Sequence, residues 1–202
     1  HQLAVVKVII TAGCGGRGYS RLSTSTSEEL SFDPQQINII VQFHPYPTHY
    51  LAWQTKGVSV GIAKSQLGIS PILAGIKHLN RLEQVLIRQE LDNRSEQDLL
   101  VFNCSQRLIE ASASNVFIFD EQLKLTTPTL TESGVNGLMR QQVIKHYDDV
   151  EENDISMEQL TNTRAMFICN AVMGIVPVHT FLGKTLDISS VHAIQQLHEN
   201  LQ

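Results

Sequence analysis

Residues 69–91 read ISPILAGIKHLNRLEQVLIRQEL, and the lysine at position 77 divides the stretch into two unlike halves. Before it runs the largely apolar PILAGI. After it, Leu79, Leu82, Val85 and Leu86 recur at helical spacing, with Arg81, Glu83, Gln84 and Arg88 largely on the opposite side, the pattern of an amphipathic helix. The spacing predicts a strand-to-helix junction at Lys77, with the amine partly withdrawn from water. Such a setting favours the neutral amine, the form that attacks an aldehyde. On its own, a lysine so placed most often snorkels its charge to solvent, so its meaning depends on the segments around it.

Upstream, AVVKVII and INIIVQF (37–43) read as buried strands. The Ser/Thr-rich YSRLSTSTSEELSFDPQQ between them has the polarity of a loop. HPYPTHYLAW (44–53) holds two prolines, so the chain is expected to leave the strand and cross the surface before GVSVGIA (57–63) resumes extended structure. A boundary is expected there, separating a small N-terminal α/β part, 1–56, from a larger C-terminal domain, 57–202. Downstream, DLLVFN and ASNVFIFD read as paired strands and LKLTTP as a third. GLMRQQVIKHY reads as a helix, AMFICNAVMGIVPVHTF as strands about a turn, and SVHAIQQLHENL as a closing helix. Strands and helices mixed without strict alternation indicate an α+β, or mixed α/β, protein.

A chain of 202 residues, 42% hydrophobic and 17% charged, can bury a core and lies outside the composition of disordered chains. A net charge of −5 excludes the broad basic field that nucleic acid requires, while leaving room for a local basic pocket that holds a small acidic molecule. Cys14, Cys104 and Cys169 are widely spaced and odd in number, which indicates neither a disulfide framework nor a Cys-x-x-Cys metal site and fits a reducing cytoplasm. His44, His49, His179 and the other histidines form no HExxH or close pair, so no metal is expected. No apolar run reaches the length of a membrane span. The chain opens HQLAVVKV, without methionine and almost directly in a strand, and an N-terminal segment is expected to precede it.

The stretch TAGCGGRGYS (11–20) places Gly13, Gly15 and Gly18 in G-x-G-x-x-G spacing after a strand. A dinucleotide site needs a helix after the last glycine, whose N-terminus binds pyrophosphate. YSRLSTSTSEEL carries no apolar stripe, Asp33 stands only 15 residues beyond Gly18, and no Gly-Lys-Ser/Thr follows. The loop reads instead as a connection that can bring Arg17 and Tyr19 to a substrate carboxylate.

LAGIKHLNRLEQVLI (73–87) resembles, at nearly every position, the cofactor-lysine segment of the bacterial aminodeoxychorismate lyases, which are pyridoxal-phosphate enzymes of fold type IV. Three further segments agree in order. EASASNVF (110–117) resembles the family's E-x-x-x-x-N-hydrophobic-F segment, GVNGLMR (134–140) its phosphate-binding turn, and ICNAVMGIVPV (168–178) its last active-site strand and turn. KVIITAGCGGRGYS is similar to the lyases' N-terminal strand and loop, which sets them apart from transaminases of the same fold.

The resemblance implies a two-domain fold-type IV protein that binds pyridoxal 5′-phosphate and works as a homodimer. It assigns Lys77 to covalent attachment of the cofactor and then to proton transfer, and Glu110 to the pyridine nitrogen. The backbone N–H groups of Leu138 and Met139 are assigned to the phosphate, Val135 to a ring face, and Asn170 with Ala171 to the phosphate or substrate side. The implied substrate is 4-amino-4-deoxychorismate, converted to 4-aminobenzoate and pyruvate on the way to folate, with Arg17 and Tyr19 as candidates for its carboxylates. The arginine that clamps the phosphate in the family lies in an N-terminal segment with no counterpart here. The alternatives are a branched-chain or D-amino-acid transaminase on the same scaffold, and a non-catalytic fragment.

Overall fold

The computed structural model describes residues 3–13 and 37–199. Arg17, Tyr19, the polar loop after them and the last two glycines of the G-x-G-x-x-G stretch lie outside the described residues. The chain divides into two compact units, His1–Pro47 and Thr48–Gln202. In the first, β1 (Ala4–Thr11) and β2 (Asn38–Pro45) pair antiparallel in an unbroken register from Ala4 opposite Pro45 to Thr11 opposite Asn38. These are the two strands expected from the sequence. Their side chains are largely exposed in this chain, Phe43 to 73%, so the two-stranded ribbon does not bury them as expected.

The second unit is built on a nine-stranded mixed sheet. Its elements, in chain order, are α1 (His49–Lys56), β3 (Val58–Ile62), α2 (Leu82–Leu91), β4 (Asp98–Phe102), β5 (Leu108–Ala111), β6 (Asn115–Phe119), β7 (Leu125–Pro128), α3 (Leu138–His146), β8 (Glu151–Asn153), α4 (Met157–Asn162), β9 (Ala165–Asn170), β10 (Gly174–Phe181), β11 (Lys184–Thr185) and α5 (Ser189–Glu199). The strand order is β5-β4-β3-β10-β9-β6-β7-β8, with β11 added on β10. Strand β10 joins the two halves: residues 174–177 pair antiparallel with β9, and residues 178–181 pair parallel with β3 across a register shift between Val178 and Thr180. DLLVF, NVFIF and most of AMFICN are apolar in succession rather than alternating because these strands are covered on both faces. Phe117 stacks on Phe167 across β6 and β9 at 4.7 Å between ring centroids.

Three sequence expectations change. The segment expected to cross the surface forms α1, because the Trp53 ring meets those of His49 and Tyr50, four and three residues before it, at 4.7 and 5.2 Å. Tyr50 and Trp53 also pack on the core that includes Val58, Val176 and Val178. Helix α1 therefore belongs to the larger unit, and the division falls after Pro47 rather than near residue 56. Strands β4 and β6 do not pair with each other: β4 lies between β3 and β5, and β6 between β7 and β9. Finally, α2 begins at Leu82 and buries Ile87 and Leu91, while the stripe read as its apolar face, Leu79, Leu82, Val85 and Leu86, is at least half exposed in this chain.

Candidate active site

Glu110 lies near the end of β5, 6% exposed. Its position depends on the turn that follows. Buried Asp98, at the start of the neighbouring strand β4, accepts from the backbone N–H and hydroxyl of Ser112 and from the hydroxyl of Ser114, and Ala111 N–H donates to Ser114 O. Glu110 and Asn115 thereby face a common end of the sheet from either side of a fixed turn. Burial raises the Asp98 carboxyl above its ordinary range against these donors.

The residues of 133–137 close over that end. Val135 N–H donates to Glu110 Oε2 at 2.8 Å, and the Asn115 carboxamide bridges the turn, donating to Val135 O at 2.8 Å and accepting from Gly137 N–H at 3.2 Å. Gly134 has φ +89, and a Cβ there would lie 2.5 Å from Ile109 Cγ2 and 3.3 Å from Glu110 Oε2, so no other residue fits between the turn and the acid. Gly137 is the N-cap of α3, and the helix opens with Leu138 and Met139 and without an acidic residue in its first turn. Its unpaired N–H groups and dipole suit an anion.

Lys77 reaches the same place through the backbone. Residues 71–80 form turns rather than a strand-to-helix junction, and Lys77 is exposed in this chain, with Ile72 and Ile76 turned outward; the amine is not withdrawn from water as expected. The loop is stitched to the turn beyond Glu110: Ser70 N–H donates to Glu132 O, Gly75 N–H to Gly134 O and Asn136 N–H to Gly75 O, each at 2.8–3.0 Å. Burial pushes the Glu110 carboxyl up to about 7, opposed by the Val135 N–H, the charge of Arg81, a hydrogen bond from the Gln84 side chain and the charge of Lys77. The charge of Lys77 thus reaches the acid.

Asn170 ends β9, where its carboxamide shapes the hairpin: Oδ1 accepts from Val172 and Met173 N–H at 2.9 and 2.8 Å, and Nδ2 donates to Ala113 O at 3.1 Å. Its side chain is spent on the turn, and what the hairpin tip offers a ligand is backbone and the exposed Ala171. The structure therefore gathers Lys77, Glu110, Val135, the start of α3 and, through Ala113, the 170–171 tip. Asn115, Arg81 and Gln84 were missed as site residues. Asn115 was legible as the asparagine of the quoted E-x-x-x-x-N motif, and the other two as positions four and seven beyond the lysine. Beside the site, a cleft of about 430 Å³ runs between the 67–74 loop and α2, lined by His78, Arg81, Gln84 and Gly134 among others. Burial and the Arg81 charge hold His78 below its ordinary range. The cleft does not include Lys77, Glu110 or Val135.

Residues 1–181 match the protein family described as amino-transferase class IV. A curated aminodeoxychorismate lyase of Vibrio harveyi is 35% identical over 181 residues, which are 88% of this chain and 63% of the relative. The chain thus spans less than two thirds of that relative's length. The crystal structure of 4-amino-4-deoxychorismate lyase from Pseudomonas aeruginosa superposes with a TM-score of 0.83 at 28% identity, covering 97% of this chain and 69% of the other. An aminotransferase of Brucella abortus, solved with the cofactor PLP, shares the fold at a TM-score of 0.76 and 17% identity, over 98% of this chain and 68% of its own.

Proposed function

As this chain belongs to the class IV amino-transferase family and has the fold-type IV architecture, we propose that it carries pyridoxal 5′-phosphate on Lys77 and works as a lyase. In this reading it converts 4-amino-4-deoxychorismate to 4-aminobenzoate and pyruvate, a step toward folate. The observation that carries the cofactor assignment is the convergence of Lys77, buried Glu110 and the 133–137 turn at one end of the sheet. The donor set suits the group: an amine for an aldehyde, a buried acid for a basic ring nitrogen, and a helix N-terminus for a phosphate.

Bound there, the cofactor would supply a cationic conjugated ring able to accept the electron pair of the C–H bond on the substrate's amine-bearing carbon. Glu110 keeps that ring protonated. Burial makes a lone carboxylate costly, and the same burial makes it a strong partner for a cation. The Lys77 amine, freed when the substrate's amine takes its place, would take a proton and return one. Leu138 and Met139 N–H groups would hold the phosphate, Val135 would pack against the ring, and the Asn170–Ala171 tip would close the phosphate or substrate side. Arg17 and Tyr19 remain candidates for the substrate's carboxylates.

The lyase reading over a transaminase is supported by the extent of the likeness, 35% identity over 88% of this chain to a protein named as a lyase, against 32% over 51% to a probable branched-chain-amino-acid aminotransferase of Thermotoga maritima and 26% over 61% to a D-alanine aminotransferase of Bacillus licheniformis. A homodimer belongs to the same proposal and is supported by the outward apolar side chains of Ile72, Leu79, Leu82, Val85 and Leu86. So does a cytoplasmic setting, supported by cysteines too few and too scattered for a disulfide framework. Among the described residues, no helix is long and apolar enough to cross a membrane. The test is pyruvate release from 4-amino-4-deoxychorismate without any keto acid added. A requirement for a keto-acid co-substrate would favour the transaminase, and no turnover with either would favour a non-catalytic chain.

A further inference from the structure

Lys77 sits at the centre of a tight turn, with His78 N–H donating to Ile76 O across it at 3.0 Å. An i to i+2 bond of this kind closes only three residues and holds poorly alone. Upstream the loop is anchored by the two backbone bonds of Gly75 to the 134–136 turn. Downstream, among the described residues, no comparable backbone bond reaches Lys77 before α2 begins at Leu82. The Arg81 side chain occupies that position. Its Nη2 donates to Ile76 O at 2.8 Å and its Nε to His78 O at 3.0 Å.

We infer that Arg81 is a positioning residue for Lys77: by clasping the main-chain carbonyls on both sides of the lysine, it holds the turn that aims the amine toward Glu110. The inference rests on Lys77 as the attachment residue. A planar guanidinium presents several N–H donors in a rigid fork and can serve two carbonyls at once, whereas an ammonium on a flexible stem is a single point of charge. Arg81 is also the N-cap residue of α2 without a side-chain cap bond to its own helix, so its side chain is committed to the loop. Its charge acts on Glu110 as well, which ties the base of the lysine and the acid to one side chain.

The experiment compares cofactor-loaded wild type with Arg81→Lys, which keeps the charge, and Arg81→Met, which keeps only the stem. Hydrogen–deuterium exchange reads the amides of Ile76 and His78, and borohydride fixation with peptide mapping reads attachment at Lys77. Both variants should exchange at 76–78 about tenfold faster, the loosening expected from two forfeited hydrogen bonds, with β4 and β5 unchanged, and both should fix cofactor on Lys77 more slowly. Lysine should not rescue. Unchanged exchange at 76–78, or full restoration by Arg81→Lys, would overturn the clasp. Should Arg81→Met fail to fold, Arg81→Lys alone decides. A wild type that takes no label on Lys77 sinks the cofactor reading instead and leaves the exchange to judge the clasp.

Discussion

Replacing Glu110 by glutamine should stabilise the cofactor-free protein at neutral pH and remove the activity of the cofactor-loaded one. In the folded chain burial pushes the Glu110 carboxyl up to about 7 from an ordinary 4.5. Between those values the folded chain holds a proton that the unfolded chain has released. The sign follows: this group's contribution favours folding at low pH, declines as pH rises from about 4.5 to about 7, and stays lost above. A gap of about two and a half pH units corresponds to about 3 kcal/mol. Glutamine cannot ionise, and its carbonyl oxygen can still accept from Val135 N–H. Cofactor-free Glu110→Gln should match wild type near pH 4.5 and exceed it by up to about 3 kcal/mol at pH 8, roughly 6–12 °C in Tm for a chain of this size. Urea unfolding of both proteins at pH 5, 6, 7 and 8, followed by Trp53 fluorescence, measures the difference, in which the other carboxylates cancel. Parallel stability curves across that range would refute the reasoning, because they would mean that the buried carboxylate costs the fold nothing.

Lys77→Met should abolish both pyruvate release and borohydride-fixed cofactor with little change in urea midpoint, since Lys77 is exposed in this chain; residual pyruvate above a few per cent would remove the lysine from the chemistry. Gly134→Ala forces a side chain into φ +89 and against Ile109 and Leu130, and should cost about 2–4 kcal/mol in urea unfolding from backbone strain and overpacking together, with a loss below 1 kcal/mol counting against the close approach of turn and strand. Asn115→Ala leaves Val135 O and Gly137 N–H without their side-chain partner; it should cost about 2 kcal/mol and weaken cofactor affinity, read by absorbance titration, while the distant α4 capping box of Ser156 and Gln159 keeps its exchange protection.

Element type was legible where one physical pattern ruled. The consecutive apolar residues of β4, β6 and β9 could only be covered strands, and the stretch after Gly137 carried a helix. Lys77 and Glu110 were singled out through a resemblance carried by ordered motifs, and the structure brings together the segments that hold them. α1 was obscured because Pro45 and Pro47 dominate the local pattern, whereas what makes the helix is the packing of Tyr50 and Trp53 on residues more than a hundred positions away. Helical spacing in 79–86 correctly marked a helix and could not tell which face this chain buries, since periodicity records which residues avoid water and not which surface covers them.

The order of residues by itself determined most of the strands and helices and the kinds of group available: a lysine before a helix, an acid near the end of a strand, glycines where a turn must pass close. Only the tertiary structure decided that Asp98 and Asn115 shape the turns on either side of Glu110, that the lysine loop is sewn to the 134–136 turn, and that Arg81 spends its fork on the carbonyls flanking Lys77. The physical reason is that desolvation and hydrogen-bond satisfaction are collective. Burial raises the proton affinity of the carboxyl at position 110 while groups of residues 77 to 135 hold it down, and no window of sequence contains them together.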